Sequence, residues 1–140
     1  MKKMLSFALI MMLLFTTLCA TASAESGPSS RASNYFHSYG VNRGDAGNGK
    51  LSLTFHCVGL GICTQLGVAS YTVQKETDEG WLDVSGLLDG QVGTNCASYT
   101  FGRYFYGVSG ETYRVTVTFT CILNGNGETK TYTSGSITMD

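Results

Sequence analysis

Two segments of this sequence alternate apolar and polar side chains with a period of two, the pattern of half-buried β-strands. In residues 113–121, Tyr, Val, Val, Phe and Cys alternate with Arg and three threonines. In residues 51–57, Leu, Leu, Phe and Cys alternate with Ser, Thr and His. A helix would need apolar positions three or four residues apart, and no stretch beyond residue 24 shows that spacing convincingly.

Weaker strand patterns occupy residues 68–74, 81–84, 98–106 and 128–134. An Asn-Gly repeat at 124–127 favours a hairpin between the last two strands. Short strands separated by turns predict an all-β domain, a single antiparallel immunoglobulin-like or fibronectin-like sandwich of about seven strands. The expected core consists of inward-facing positions on these strands: Leu51, Leu53, Phe55, Tyr71, Val73, Phe101, Tyr113, Val115, Val117 and Phe119.

Tyr113 opens the penultimate predicted strand, directly after a turn that contains Gly110. This position suits a tyrosine corner, in which the hydroxyl forms a hydrogen bond with the backbone a few residues upstream. An ordinary core tyrosine is the alternative. An antibody-type domain is not expected, because Cys121 lies eight residues after Tyr113 and such domains place the cysteine two residues after the tyrosine.

The N-terminus has the three parts of a secretory signal peptide. Lys2 and Lys3 precede an apolar run over residues 5–18, and Ala22-Ser23-Ala24 supplies a cleavage site. The apolar run is shorter than the ~20 residues that a membrane-spanning helix needs. We therefore predict a signal peptide at 1–24, a short flexible leader at 25–32 and the β-sandwich domain at 33–140. The expected product is a secreted protein with no membrane insertion after cleavage.

The charge of the processed chain argues against nucleic acid as a partner. Removal of Lys2 and Lys3 leaves 7 Lys and Arg residues against 10 Asp and Glu, a net charge of −3. The sequence shows no basic patch or stripe of the kind that nucleic-acid-binding domains carry.

Four cysteines remain after the signal peptide, and an even number in an exported domain favours two disulfides. Their spacings of 6, 33 and 25 residues do not suit a zinc site, which uses close pairs. In the assumed sandwich, pairing Cys57 with Cys121 and Cys63 with Cys96 is favoured, the second bond joining a loop to a strand. The rival pairing is Cys57 with Cys96 and Cys63 with Cys121.

Three segments resemble a family of small, exported, functionally uncharacterised β-sandwich proteins of Gram-positive bacteria. They are Gly59-Leu-Gly-Ile-Cys-Thr-Gln-Leu-Gly-Val-Ala-Ser-Tyr, Gly107-Val-Ser-Gly-Glu-Thr-Tyr-Arg-Val-Thr-Val-Thr-Phe and Glu128-Thr-Lys-Thr-Tyr-Thr-Ser-Gly. The resemblance covers most of residues 33–138 and implies the fold and export, with no activity. Cys63 stands where the family pattern usually has Met.

The usual catalytic and metal-binding motifs are missing from the sequence. It has no nucleophile elbow, no H-E-x-x-H and no phosphate-binding loop. Asp45 to Asn48 faintly resembles a calcium loop but lacks the run of oxygen ligands. Asp83 and Asp89 would have to converge in a groove to cleave a glycosidic bond. We expect no catalytic residues, no cofactor and no metal.

Tyr104 and Tyr106 have the opposite parity to Phe101 and Phe105, which favours exposure of both tyrosines. Tyrosine is enriched at recognition surfaces because its ring is rigid and amphipathic. A bulge at Gly102 would instead turn Tyr104 into the core. The sequence therefore suggests a secreted, non-catalytic binding or interaction module with an unknown extracellular or cell-surface partner. The alternative is a small disulfide-stabilised effector: a toxin, an antimicrobial protein or an inhibitor.

Overall fold

The structure, a computed structural model, describes residues 33–140; the predicted signal peptide and leader lie outside that range. Three quarters of these residues lie in strands and none in a helix, which confirms the all-β class. The described part of the chain accordingly has no helix long and apolar enough to cross a membrane. The strands are β1 (Phe36–Asp45), β2 (Lys50–Thr77), β3 (Gly80–Asp83), β4 (Leu88–Asp89), β5 (Val92–Tyr106), β6 (Thr112–Leu123), β7 (Asn126–Thr133) and β8 (Ile137–Thr138).

The 28-residue strand β2 organises the sheet, since five other strands pair with it. Its first half, residues 50–58, lies between β1 and the second half of β5. Its second half, residues 65–77, pairs with β6 on one side and with β3, β4 and the start of β5 on the other. Strand β6 in turn pairs with β7 and with the short β8. Every pairing is antiparallel.

The sheet curls so that strands without shared hydrogen bonds pack face to face. The ring of Tyr39 on β1 lies 5.3 Å from the ring of Phe119 on β6, measured between centroids. Phe55 contacts Tyr71, which lies further along the same strand, at 4.8 Å. Nine of the ten expected core residues are buried, and the tenth, Phe101, is half-buried and stacks on Phe55 at 4.8 Å.

The arrangement differs from the expected seven-stranded sandwich, which is not confirmed. The predicted strands 51–57 and 68–74 belong to one continuous strand, so Cys63 lies within β2 and the predicted loop there is wrong. Strand β1 was not expected, because Gly40, Arg43 and Gly44 interrupt its apolar pattern. Its inward residues Phe36, Tyr39 and Val41 are nevertheless buried.

The segment after β7 packs against the core. Met139 is buried, and its backbone bonds to the turn before β6 through Gly110 and Glu111. Ser134 is buried as well, and its hydroxyl accepts a hydrogen bond from the backbone N–H of Val115 at 2.9 Å. The Met139 contacts hold the turn between β5 and β6 in place, and the Ser134 contact fixes the chain after β7 against β6.

Candidate binding face and the cysteine cluster

The first half of β2 and its neighbours β1 and β5 form a three-stranded face directed away from the core. Alternation places the large apolar residues of β2 inward and Lys50, Ser52, Thr54 and His56 outward. Backbone pairing sets these residues in rows across the sheet: Gly44, Ser52 and Tyr104; Asn42, Thr54 and Gly102; Gly40, His56 and Thr100. We call this surface, including the terminal pair of Lys50 and Tyr106, the outer face.

Tyr104 and Tyr106 are the most prominent side chains of the outer face, with 64% and 71% of their surface exposed. The pairing of β5 with β2 shows no register shift from Lys50 to Val58, so the bulge that would have buried Tyr104 is not formed. Phe101 and Phe105, of opposite parity, pack against the core. The exposure inferred from parity is therefore confirmed, while the binding role remains a prediction.

Lys50 joins the two tyrosines into one cluster. It lies directly opposite Tyr106 in the strand pairing. Its Nζ atom is 5.5 Å from the ring centroid of Tyr104 and 5.7 Å from that of Tyr106. Both distances fall within the range of a cation–π attraction. The cluster therefore presents two aromatic rings and one cation to solvent.

Two glycines of β1, Gly40 and Gly44, leave space for side chains of β2 on the outer face. A Cβ at Gly40 would lie 3.0 Å from the Cε1 atom of His56, so the imidazole would have to shift if residue 40 carried a side chain. A Cβ at Gly44 would likewise lie 3.0 Å from the hydroxyl oxygen of Ser52. The ring of His56 is half-buried by this packing, and its Nδ1 atom is buried without a hydrogen-bond partner.

Charge is distributed unevenly over the domain. Residues 33–140 hold nine Asp and Glu against six Lys and Arg, yet no carboxylate lies in the rows of the outer face. Six of the nine occur around the other half of the sheet, near its hairpins: Glu76, Asp78, Glu79, Asp83, Asp89 and Glu111. The rows of the outer face thus carry one cation, Lys50, and no carboxylate, while Asp45 lies in the adjoining hairpin.

The carboxylates that the sequence singled out are dispersed. Asp83 pairs with Gln74 and Asp89 with Ser70, four residues apart along β2, which corresponds to about 13 Å. Inverting glycosidases hold their two carboxyl groups closer, about 6.5–9.5 Å apart. The carboxylate of Asp45 accepts hydrogen bonds from two backbone N–H groups, those of Gly47 and Asp140, both at 2.7 Å. No group of three or more His, Cys, Asp or Glu side chains within residues 33–140 is arranged to hold a metal ion.

The four cysteines converge where β2 bends. All four are free thiols in this structure; Cys96 is half-buried and the other three are buried. The Sγ atoms of Cys63 and Cys121 are 3.1 Å apart. Burial, together with the charges of Cys96 and Cys63, raises the pKa of Cys57 to about 12. Burial and the contact with Cys63 likewise raise the pKa of Cys121 to about 12. As free thiols, Cys57 and Cys121 are therefore weak nucleophiles at neutral pH.

No family model matches the sequence, and no curated protein matches it. One solved structure, a crystal structure of a protein from Archaeoglobus fulgidus, is similar to 75% of this chain over 98% of its own length. The sequence identity is 10% and the TM-score 0.41. A similarity of this size supports no statement about function.

Proposed function

We propose that this protein is a secreted, non-catalytic binding module whose outer face holds an acidic extracellular polysaccharide. The observation that carries the proposal is the exposed cluster of Tyr104, Tyr106 and Lys50. Secretion follows from the signal-peptide pattern. The curled sheet supports a sandwich-like description of the domain, because Tyr39 and Phe119 pack between strands that share no hydrogen bonds.

The tyrosines supply the contact area. Side chains two residues apart on a strand lie about 7 Å apart on the same face, a spacing on the scale of neighbouring rings in a sugar chain. Each exposed phenol offers a flat apolar surface and a hydroxyl that donates and accepts hydrogen bonds. Because both rings are already held on a strand, little conformational entropy is lost on binding.

The surroundings of the tyrosines favour a polysaccharide over a protein. Protein interfaces usually centre on a fully buried apolar core, and the rows beside the tyrosines contain hydroxyl, amide and glycine residues. Exposed Thr54 and Thr100 and the partly exposed Ser52 can exchange hydrogen bonds with sugar hydroxyls. Four strongly exposed aliphatic side chains lie elsewhere, at Leu60, Ile62, Leu82 and Leu87, and a fifth, Val108, lies in the turn after Tyr106 and outside the rows.

Charge favours an acidic ligand. The ammonium group of Lys50 lies beside both tyrosine rings and can attract an anionic group of a ligand. The rows of the outer face contain no carboxylate that would repel that group. The acidic half of the domain would repel the same polymer. Complementarity of this kind orients a charged ligand and weakens as salt rises.

Affinity electrophoresis of the secreted protein tests the proposal. Native gels containing polygalacturonic acid should retard the protein, gels containing neutral dextran should not, and added salt should reduce the retardation. Replacing Tyr104 and Tyr106 by Ser together should abolish it, and Lys50→Gln should weaken it about fivefold, the loss of one cation worth about 1 kcal/mol. Lys75→Gln and Leu87→Ser, on the other half of the sheet, serve as matched controls.

Equal retardation of the tyrosine variant and the controls would overturn the proposal. So would failure of the wild-type protein to respond to any acidic polysaccharide while a protein partner is captured through the outer face. The small secreted effector remains the alternative proposal. Growth inhibition by the purified protein that persists in the variant Tyr104→Ser/Tyr106→Ser would favour it.

A further inference from the structure

The four cysteines meet beside an irregularity in β2, which we call the bend. Between Val58 and Cys63 the strand advances five residues while its partner β5 advances two, so three extra residues are accommodated in β2. The irregularity leaves Cys57 before the bend and Cys63 after it, and both side chains are buried. Cys96 and Cys121 reach the same region from β5 and β6.

Cys63 and Cys121 are in direct contact. Their Sγ atoms lie 3.1 Å apart, closer than two unbonded sulfur atoms usually approach, and neither residue is exposed. Gly59 leaves room for this contact, because a Cβ at that position would collide with the sulfur of Cys63. The side chains are therefore directed at one another, the condition that a disulfide requires.

Cys57 and Cys96 are the remaining pair. Cys96 is the backbone partner of Cys63 and is half-buried. Cys57 lies opposite Tyr99, three residues along β5, with its Sγ 3.6 Å from the carbonyl oxygen of Tyr99. With Cys63 directed at Cys121, Cys96 is the cysteine that remains on β5, the strand paired beside Cys57.

We propose that the exported protein forms disulfides between Cys63 and Cys121 and between Cys57 and Cys96. In each, two S–H bonds break and one S–S bond forms; the two electrons and two protons pass to a disulfide of an extracytoplasmic thiol oxidoreductase, whose S–S bond breaks to give its dithiol. The first bond ties β2 to β6 and the second ties β2 to β5. Both halves of the bent strand are thereby fixed to their partners. The pairing favoured from sequence, which assumed Cys63 in a loop, is replaced by its rival.

Peptide mapping without reduction tests the pairing. Trypsin alone leaves Cys57 and Cys63 on one peptide, since no Lys or Arg lies between them, whereas chymotrypsin can cut after Leu60. A double digest should give one linked species containing Cys63 and Cys121 and another containing Cys57 and Cys96. Linked species containing Cys57 with Cys121, or Cys57 with Cys63, would overturn the proposal.

A single substitution gives an independent readout. In Cys63→Ala, alkylation after denaturation should label Cys121, whereas the pairing favoured from sequence would leave Cys96 free and the third possible pairing would leave Cys57 free. The proposal rests on export, so the purified protein is also oxidised in a glutathione redox buffer. If the protein is not exported but forms the expected pairs in that buffer, the result contradicts secretion and leaves the pairing supported. Four alkylatable thiols in natively secreted protein would overturn the disulfides.

Discussion

The hydroxyl of Tyr113 accepts a hydrogen bond from the backbone N–H of Val108 at 2.9 Å. This bond spans the turn between β5 and β6, and the ring that carries the hydroxyl is buried. The geometry is that of a tyrosine corner, as the position of Tyr113 after a turn predicts. It connects the end of the strand that bears Tyr104 and Tyr106 to the most regular strand of the core.

Tyr113→Phe removes this bond and leaves the ring in place. Because the N–H of Val108 loses its partner, we expect the free energy of unfolding to fall by about 0.5–1.5 kcal/mol. Urea denaturation measures the change. Tyr106→Phe, at an exposed hydroxyl, is the matched control and should stay within about 0.5 kcal/mol. Equal stability of Tyr113→Phe and wild type would show that the bond contributes nothing.

Gly107→Ala tests the packing beside the same ring. A Cβ at this position would lie 2.9 Å from the Cε2 atom of Tyr113 and 3.0 Å from Cζ. The ring is buried and cannot retreat freely, so overpacking should cost about 1–3 kcal/mol. Gly102→Ala, whose nearest neighbour would be a carbonyl oxygen at 3.7 Å, is the control. Similar melting temperatures for the two variants would contradict the prediction.

Val117 and Thr118 test the register of β6. Val117 is fully buried, so Val117→Ala should lose about 1–3 kcal/mol through lost burial and cavity formation. Thr118 lies on the opposite side of the strand and is partly exposed, so Thr118→Ala should stay within about 0.5 kcal/mol. Chemical denaturation of both variants decides the point. Equal losses would mean that the assigned inward face is wrong.

The sequence predicted best where a strand has one buried face and few glycines. Strand β6 and the first half of β2 follow strict alternation, and the parity of Tyr104 and Tyr106 gave their exposure. The sequence did not show that β2 continues through Gly59 and Gly67, because glycines usually mark loops. The structure uses them for close approach: a Cβ at Gly59 would meet the sulfur of Cys63, and one at Gly67 would meet the backbone of Gln91.

The candidate sites were only partly accessible from sequence, for a spatial reason. Lys50 joins Tyr104 and Tyr106 through a pairing between residues more than 50 positions apart in the chain, and no local pattern encodes that register. The contact of Cys63 with Cys121 depends on the bend in β2, which shifts Cys63 by three residues relative to β5. Alternation in the sequence predicts which side of the sheet a residue faces. Its neighbour on the next strand depends on strand order and register, which the structure supplies.

Intact-mass measurement tests processing of the secreted chain. Cleavage after Ala24 predicts a mature N-terminus at Glu25, since Ala22 and Ala24 are the small residues that signal peptidase requires. The mass should equal that of residues 25–140 less four hydrogens, and reduction should restore those four. A full-length mass, or a mass unchanged by reduction, would contradict the predicted cleavage or the predicted disulfides, respectively.

Asp45 should make stability depend on pH. Backbone N–H bonds from Asp140 and Gly47 lower the pKa of its carboxyl group from 3.8, so the folded chain favours the ionised form. A group with a depressed folded-state pKa stabilises the protein above its unfolded-state pKa, and the contribution is lost as pH falls through the folded-state value. Asp45→Asn should therefore lower the melting temperature at pH 6, and the difference from wild type should shrink below about pH 4, the range of an unperturbed Asp pKa.

Thermal unfolding from pH 6 to pH 2.5 measures this pH dependence, with Asp89→Asn, at an exposed carboxylate, as the control. A constant difference between Asp45→Asn and wild type at every pH would show that its carboxylate does not act through ionisation.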